Sequence, residues 1–306
     1  MSMRTKAIVA IVIAAALWAS AGTVAKLLFR ETTPFVAAFY RFAIASAIML
    51  PFFVRSKPTV QSIKKLLPLG IFNAMNILFY YSGISLTSAN TAIILGAAVP
   101  LTTAILSPIL IKESVSKEKF AGVAVGLIGA LLIVFLPVLR GERELSGNLF
   151  GNVLLVCSLL SWTGYILYSR AALGKGTYPP ALSTSVNLFT CTVAAGLAGL
   201  ISGQQFFFPA LVTPSYIGLL IFAALGITVV TFFLFQWAVQ HVSASTASLK
   251  EYLQLMIGLM INAVVLGERL TLMDGIGSIL IVSGVVIATG ESMTRKLSGL
   301  LFSKEE

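Results

Sequence analysis

The sequence predicts an all-α integral membrane protein: ten transmembrane helices, arranged as two inverted five-helix repeats with both termini cytoplasmic. Three observations predict it. Of the 306 residues, 58% are hydrophobic and 10% charged, with a mean hydropathy of +0.96. A soluble domain carries roughly 25% charged residues, so most of this surface faces lipid. Ten apolar segments of membrane-crossing length follow one another along the chain, and a passage at the end of the third returns 155 residues later, at the end of the eighth.

The segments are 7–29, 34–54, 66–86, 90–111, 118–136, 149–170, 179–202, 214–240, 244–266 and 272–290. At 1.5 Å per residue, such lengths cross a hydrocarbon core of about 30 Å. Helices are expected because lipid offers backbone N–H and C=O groups no partners. The first segment follows a charged start, Met1 to Lys6, like that of a signal peptide. Its apolar stretch is too long for a cleaved leader and nine more follow, so it reads as a retained first span.

The loops set the orientation. With the N-terminus inside, the cytoplasmic segments hold 14 basic residues, among them Lys64, Lys65, Lys112, Lys119 and Arg170, and the outer segments hold four, Arg30, Arg140, Arg143 and Arg269. The positive-inside rule selects that orientation. The net charge of +10 is therefore a topology signal spread over short loops, not a nucleic-acid patch.

The repeat is legible in residues. Gly83-Ile-Ser-Leu-Thr-Ser-Ala-Asn-Thr-Ala92 resembles Ala238-Val-Gln-His-Val-Ser-Ala-Ser-Thr-Ala247, and the same offset carries Glu113 onto Glu268, Gly122 onto Gly277 and Gly129 onto Gly284. Trp18 meets Trp162 at a shift of 144, so the early parts align only with gaps. The repeats are expected over 1–140 and 145–292, with a cytoplasmic tail at 293–306. Five spans is an odd number, which turns the second copy upside down. Inverted repeats are how many secondary carriers build two alternating gates around one midplane site.

Candidate site residues follow in chain order. Trp18, Gly22 and Lys26 share a face of span one, and Tyr40 and Arg41 lie about two turns into span two. Asn73, Asn76 and Tyr80 fall at i, i+3 and i+7 on span three. Trp162 and Tyr165 occupy span six, Asn187 the middle of span seven, and Gln236 and Gln240 one face of span eight. Lys250, Glu251 and Gln254 open span nine. Ionisable groups inside a span cost about 2.5–3.5 kcal/mol on insertion scales and usually face a cavity or a partner.

Arg41 and Glu251 each sit about 10 Å inside opposite faces, so they bracket the midplane. Arg41 suits capture of a carboxylate or phosphate by its planar fork. Glu251 suits an ammonium ligand or a proton carrier, against a structural ion pair as the competing reading. Adjacent helical residues point about 100° apart, so Lys250 and Glu251 are not expected to face one point. Lys26 also fits a snorkelling cation, the amides fit interhelical hydrogen bonds, and the aromatics fit ordinary packing.

Glycines 122, 126 and 129, and 275, 277 and 284, read as packing seams of spans five and ten, within one chain or between two copies; the expected state is a monomer or weak homodimer. Two cysteines, Cys157 and Cys191, and one histidine, His241, argue against a disulfide framework or a zinc site, and no cofactor is expected.

The stretches Pro100-Leu-Thr-Thr-Ala-Ile-Leu-Ser-Pro-Ile-Leu-Ile-Lys-Glu113 and Gly258-Leu-Met-Ile-Asn-Ala-Val-Val-Leu-Gly-Glu-Arg-Leu270 resemble the turn that ends the fourth helix of each copy in the drug/metabolite transporter superfamily, in its ten-helix EamA-like branch. The resemblance covers the chain to about Thr289. It implies transport of small metabolites, often export of amino acids or related compounds, through a central cavity in a bacterial or archaeal plasma membrane. One departure stands out: Gln254-Leu255 replaces a frequent Glu-Pro pair, and Lys250 and Glu251 replace neutral residues just before it.

Three intramembrane cations against one acid suit a zwitterion or an organic anion, with protons as a coupling ion. Other readings are a passive facilitator, a carrier of nucleotide-like, nucleobase or cationic compounds, a lipid flippase, or a membrane-embedded enzyme. An enzyme needs clustered acids, histidines or metal ligands, which the sequence does not display. Direct ATP coupling has no GxxxxGK[ST] loop to support it.

Overall fold

The computed structural model describes residues 2–87, 92, 95–139, 149–174, 176–266, 272 and 275–288. They are helical throughout, joined by short turns. In chain order the helices are α1 (Met3–Trp18), α2 (Ala21–Leu28), α3 (Pro34–Arg55), α4 (Val60–Leu86), α5 (Val99–Leu110), α6 (Lys117–Leu139), α7 (Leu149–Leu173), α8 (Pro180–Ile201), α9 (Pro214–Ala224), α10 (Thr231–Ala238), α11 (Ala244–Ser248), α12 (Lys250–Leu266) and α13 (Gly275–Ala288).

Among the described residues, six segments are long and apolar enough to cross a membrane: Met3–Leu28, Pro34–Arg55, Val60–Leu86, Leu149–Leu173, Pro180–Ile201 and Pro214–Ala238. Expected spans four, five, nine and ten fall on α5, α6, α11 with α12, and α13; parts of the fourth and tenth lie outside the described residues, as do Glu268 and the 293–306 tail.

Local chemistry sets the helix ends. Pro34, Pro180 and Pro214 open helices where a missing N–H costs nothing. Thr59 caps α4 in a reciprocal box with Ser62. Apolar side chains cover the outside as well as the core. Ile201, Leu200 and Val264 are exposed, whereas Arg41, Lys250, Glu251, Asn73, Asn187 and Gln236 are buried. That is the distribution lipid selects.

Helices from the two halves pair across the molecule: α3 along α8, α4 along α7, and α1 along α10. Small residues permit the closest crossings. At α4–α7, a methyl on Gly83 would lie 2.8 Å from the Leu155 side chain and 3.0 Å from the Gly151 carbonyl. At α6–α13, a methyl on Gly122 would lie 2.6 Å from the Gly284 carbonyl, and one on Gly129 2.6 Å from the Gly277 carbonyl. The glycine seams of spans five and ten therefore meet each other inside one chain.

Among the described residues, four of the expected spans are interrupted. The first breaks at Ala19–Ser20, the fourth at Ala97–Ala98 and the ninth at Leu249, and the eighth passes through a π-helical turn, Leu225–Val230. Periodicity alone does not reveal such breaks, because the apolar pattern runs through them.

Candidate functional site

These interruptions surround one cavity of about 130 Å³. That is room for several waters or one small organic molecule. The end of α1 contributes Trp18, and α2 begins beside it with Ala21; α4 gives Asn76, Ile77, Tyr80 and Tyr81. From α7 come Leu155, Ser158, Leu159 and Trp162, and the restart at α12 supplies Lys250, Glu251, Gln254 and Leu255. Arg41 and Phe232 complete the wall, with Gly96 and Val99 ahead of and at the start of α5.

Arg41 is 4% exposed. Its Nε donates to Thr228 Oγ1 at 2.7 Å, Nη1 to the Tyr81 hydroxyl at 2.9 Å, and Nη2 to the Ile227 carbonyl at 3.2 Å. Thr228 and Ile227 belong to the π turn, whose displaced ladder presents a carbonyl to a side chain from α3. A guanidinium has five N–H donors, so this fixed fork keeps two beyond these three bonds. Among the described residues no carboxylate pairs with Arg41.

Lys250 and Glu251 meet, contrary to the expectation from helical direction. Lys250 Nζ lies 2.5 Å from Glu251 Oε1 and 3.2 Å from Gln254 Oε1. The four-carbon lysine stem curls back across the 100° that separates the two Cβ directions. The same ammonium lies 4.3 Å from the Trp18 ring centroid and 4.8 Å from that of Trp162, while Trp162 Nε1 donates to Glu251 Oε1 at 2.8 Å. Trp18 and Trp162 stand edge to face, 5.6 Å apart.

Eight sequence candidates thus line the cavity: Trp18, Arg41, Asn76, Tyr80, Trp162, Lys250, Glu251 and Gln254. Asn76 is tied to α7, donating to Ser158 Oγ at 2.8 Å. The others lie outside its wall. Tyr165 stacks beneath Trp162 at 4.7 Å and takes a hydrogen bond from Gln236, which also reaches Ser169. Asn73 donates to Asn187 at 2.9 Å between α4 and α8, and to Cys191 Sγ. Tyr40 donates to the Phe206 carbonyl at 2.9 Å, and Lys26 to the Thr87 carbonyl at 3.0 Å. Asn73 leaves the Asn76–Tyr80 face because α8 competes for it.

Sequence reading missed Tyr81, Thr228, Ser158 and Phe232. A template started at Asn73 selects Tyr80 and skips its neighbour. Thr228 carries one signal, a hydroxyl in the middle of a largely apolar span that it shares with Thr231, and its role depends on the π turn.

A second polar cluster lies at the other end of α7. Arg170 Nε is 3.6 Å from Glu113 Oε2, and its Nη1 donates to the Val239 carbonyl at 2.9 Å. Glu113 Oε2 accepts from the Ala244 amide at 3.2 Å, and Lys119 reaches Ser243 Oγ at 3.0 Å. These contacts tie the segment after α5 to the turn between α10 and α11.

The sequence model of the EamA-like transporter family matches residues 5–135 and 149–290. The chain is 26% identical over 276 residues to the uncharacterised transporter YdfC of Bacillus subtilis, covering 88% of this chain and 86% of that one. It is 26% identical over 318 residues to a WAT1-related protein of Arabidopsis thaliana, covering 93% and 84%. Over 284 residues it is 22% identical to the uncharacterised inner membrane transporter YedA of Escherichia coli, covering 89% and 87%. A crystal structure superposes with a TM-score of 0.73 at 18% identity, over 92% of this chain and 97% of the other.

Proposed function

Because this chain belongs to the EamA-like transporter family and is a multi-pass membrane protein, we propose that it is a secondary carrier of small metabolites bearing a carboxylate, with amino acids and related zwitterions the first class to test. The observation that carries this reading is Arg41: a buried guanidinium on the cavity wall with N–H groups to spare and no acid paired to it among the described residues. The charged groups on the wall are two cations and one acid, and Glu251 already compensates Lys250. An anionic group on the substrate would compensate Arg41, and Trp18, Phe232 and Leu159 would hold an apolar body.

We assign alternating access between two inverted halves as the mechanism. Aligning the first-turn prolines Pro34 and Pro180 sets Arg41 opposite Asn187, and the 155-residue offset sets Asn73 opposite Thr228. Two bonds between the halves then occupy equivalent places, Arg41 donating to Thr228 and Asn73 donating to Asn187, with donor and acceptor exchanged. The pairings α4–α7 and α1–α10 exchange in the same way. With both termini and the basic loops inside, the cavity lies toward the outer leaflet and the Arg170–Glu113 cluster seals the cytoplasmic end. Export from a bacterial or archaeal inner membrane is the direction taken from the family resemblance.

Carboxylates that bind the folded carrier raise its melting temperature. Leucine and its desamino analogue 4-methylpentanoate are expected to stabilise the purified protein. Arg41→Gln should weaken both by about 10- to 100-fold, the worth of a charged hydrogen-bonded contact. Stabilisation only by cations or neutral rings, unchanged in Arg41→Gln, would sink the reading.

The inner seal makes its own prediction. Glu113→Ala removes the acceptor of the Ala244 amide and the partner of Arg170. Amide hydrogen exchange over 239–247 should speed up about tenfold, the effect of one lost hydrogen bond of about 1.4 kcal/mol. Exchange at the wild-type rate would remove that cluster from the gate. Protons are the proposed coupling ion, through Glu251, which faces Lys250, Trp162 and Gln254. Flux into liposomes should follow a pH gradient and lose that dependence in Glu251→Gln while exchange of 4-methylpentanoate, which has no ammonium, persists.

A further inference from the structure

The Lys250 ammonium occupies a site of the type that recognises organic ammonium ions. One carboxylate oxygen, one amide oxygen and the faces of two tryptophans surround it. A carboxylate and aromatic faces are the groups that hold a desolvated ammonium. Trp162 is positioned for this on both sides, with its indole N–H fixing the carboxylate and its ring facing the cation. Tyr165 stacks against the other side of that ring, and Phe235 against Tyr165. Lys250 itself is 2% exposed, so its charge has little other compensation.

The lysine comes from the same helix turn as the acid it neutralises. Its hold on Glu251 therefore needs no particular arrangement of the two halves of the molecule. A ligand ammonium entering the cavity meets Glu251, Trp18 and Trp162 with their one binding position already filled.

We propose that Lys250 is a tethered competitor for a primary-ammonium subsite formed by Glu251, Gln254, Trp18 and Trp162, and that amine-bearing substrates bind by displacing it. Displacement swings the lysine stem aside and leaves Glu251 paired to the substrate, so the buried acid is compensated in both the empty and the loaded carrier. For zwitterions this rests on the carboxylate reading of Arg41, and it names where the second charge goes. The subsite for a simple amine does not depend on that reading.

Truncation of the tether tests it. Lys250→Ala removes four side-chain heavy atoms beyond Cβ, and n-butylammonium, one carbon longer, fills that space and extends into the adjoining cavity. n-Butylammonium chloride should raise the melting temperature of purified Lys250→Ala and leave the wild type unmoved at the same concentration, and the effect should vanish in Lys250→Ala/Glu251→Gln. Leucine should bind Lys250→Ala about tenfold more tightly than wild type, while 4-methylpentanoate, which lacks the amine, stays within twofold. Lys250→Ser serves the same comparison should the alanine variant not fold.

Absence of n-butylammonium stabilisation in the truncated protein, or stabilisation that survives Glu251→Gln, overturns the subsite. A leucine gain no larger than that of 4-methylpentanoate overturns displacement by the substrate and leaves the carboxylate reading intact. Failure of both acids to bind the wild type overturns the carboxylate reading, and the n-butylammonium result still decides the subsite.

Discussion

Replacing Glu251 by glutamine should destabilise the folded protein by about 3 kcal/mol, the lower part of the range for removing one partner of a buried ion pair. Lys250 would keep its charge, 2% exposed, with only amide oxygens and two indole faces around it. Among the described residues the carboxylate is the one full charge that compensates it, and Trp162 Nε1 would exchange an ionised acceptor for a neutral one. At a few degrees per kcal/mol, the melting temperature should fall by roughly 10 °C.

The double variant Lys250→Met/Glu251→Gln should recover most of that loss, because a neutral pair of similar volume needs no counterion. The cycle of two single variants and the double isolates the coupling between the two residues. A melting temperature unmoved by Glu251→Gln would mean that the pair carries no charge in the folded protein. The competitor role of Lys250 would fall with it.

Gly284→Val should be at least as damaging, by a different mechanism. A Cβ at Gly284 would lie 2.5 Å from the Gly122 carbonyl oxygen and 2.6 Å from the Gly126 amide nitrogen. Both obstacles are backbone, so no side-chain rotation relieves the clash, and α6 and α13 must separate by a large part of an ångström. Overpacking of this kind costs about 1–3 kcal/mol for side chains that can adjust, and more where helix axes have to move. Gly275→Ala, a glycine of the same helix with nothing within 4 Å of its added methyl, should leave the melting temperature within about 1 °C of wild type. Equal loss in the two variants would mean that the damage is helix propensity or lipid contact, not the seam.

The site was partly legible before any coordinates. Arg41, Lys250 and Glu251 announced themselves because an ionisable group in an apolar span needs a reason to be there. Trp18 and Trp162 were found as a repeated pair, and they face the same ammonium. Asn73, Asn187, Tyr165 and Gln236 carried the same polar or aromatic signal, yet they bond one another or neighbouring helices outside the cavity wall. An interhelical amide pair and a cavity amide read identically in one dimension. Tyr81 and Thr228 show the converse: each acts through Arg41, a residue 40 positions away from one and 187 from the other.

The sequence by itself determined that this chain is a bundle of membrane helices. Hydropathy is a sum over residues within a window, and lipid imposes it on every span separately. It also determined which residues are costly to bury. The tertiary structure decided which of them share a space. That choice depends on where helices break, at Ala19–Ser20, Ala97–Ala98, Leu249 and the π turn, and on which helices cross closely enough for long side chains to meet. The reach of Lys250 back to its neighbour's carboxylate is the clearest case. Cβ direction is set by local geometry, whereas the end of a flexible lysine goes where the surrounding helices supply a carboxylate and two aromatic faces.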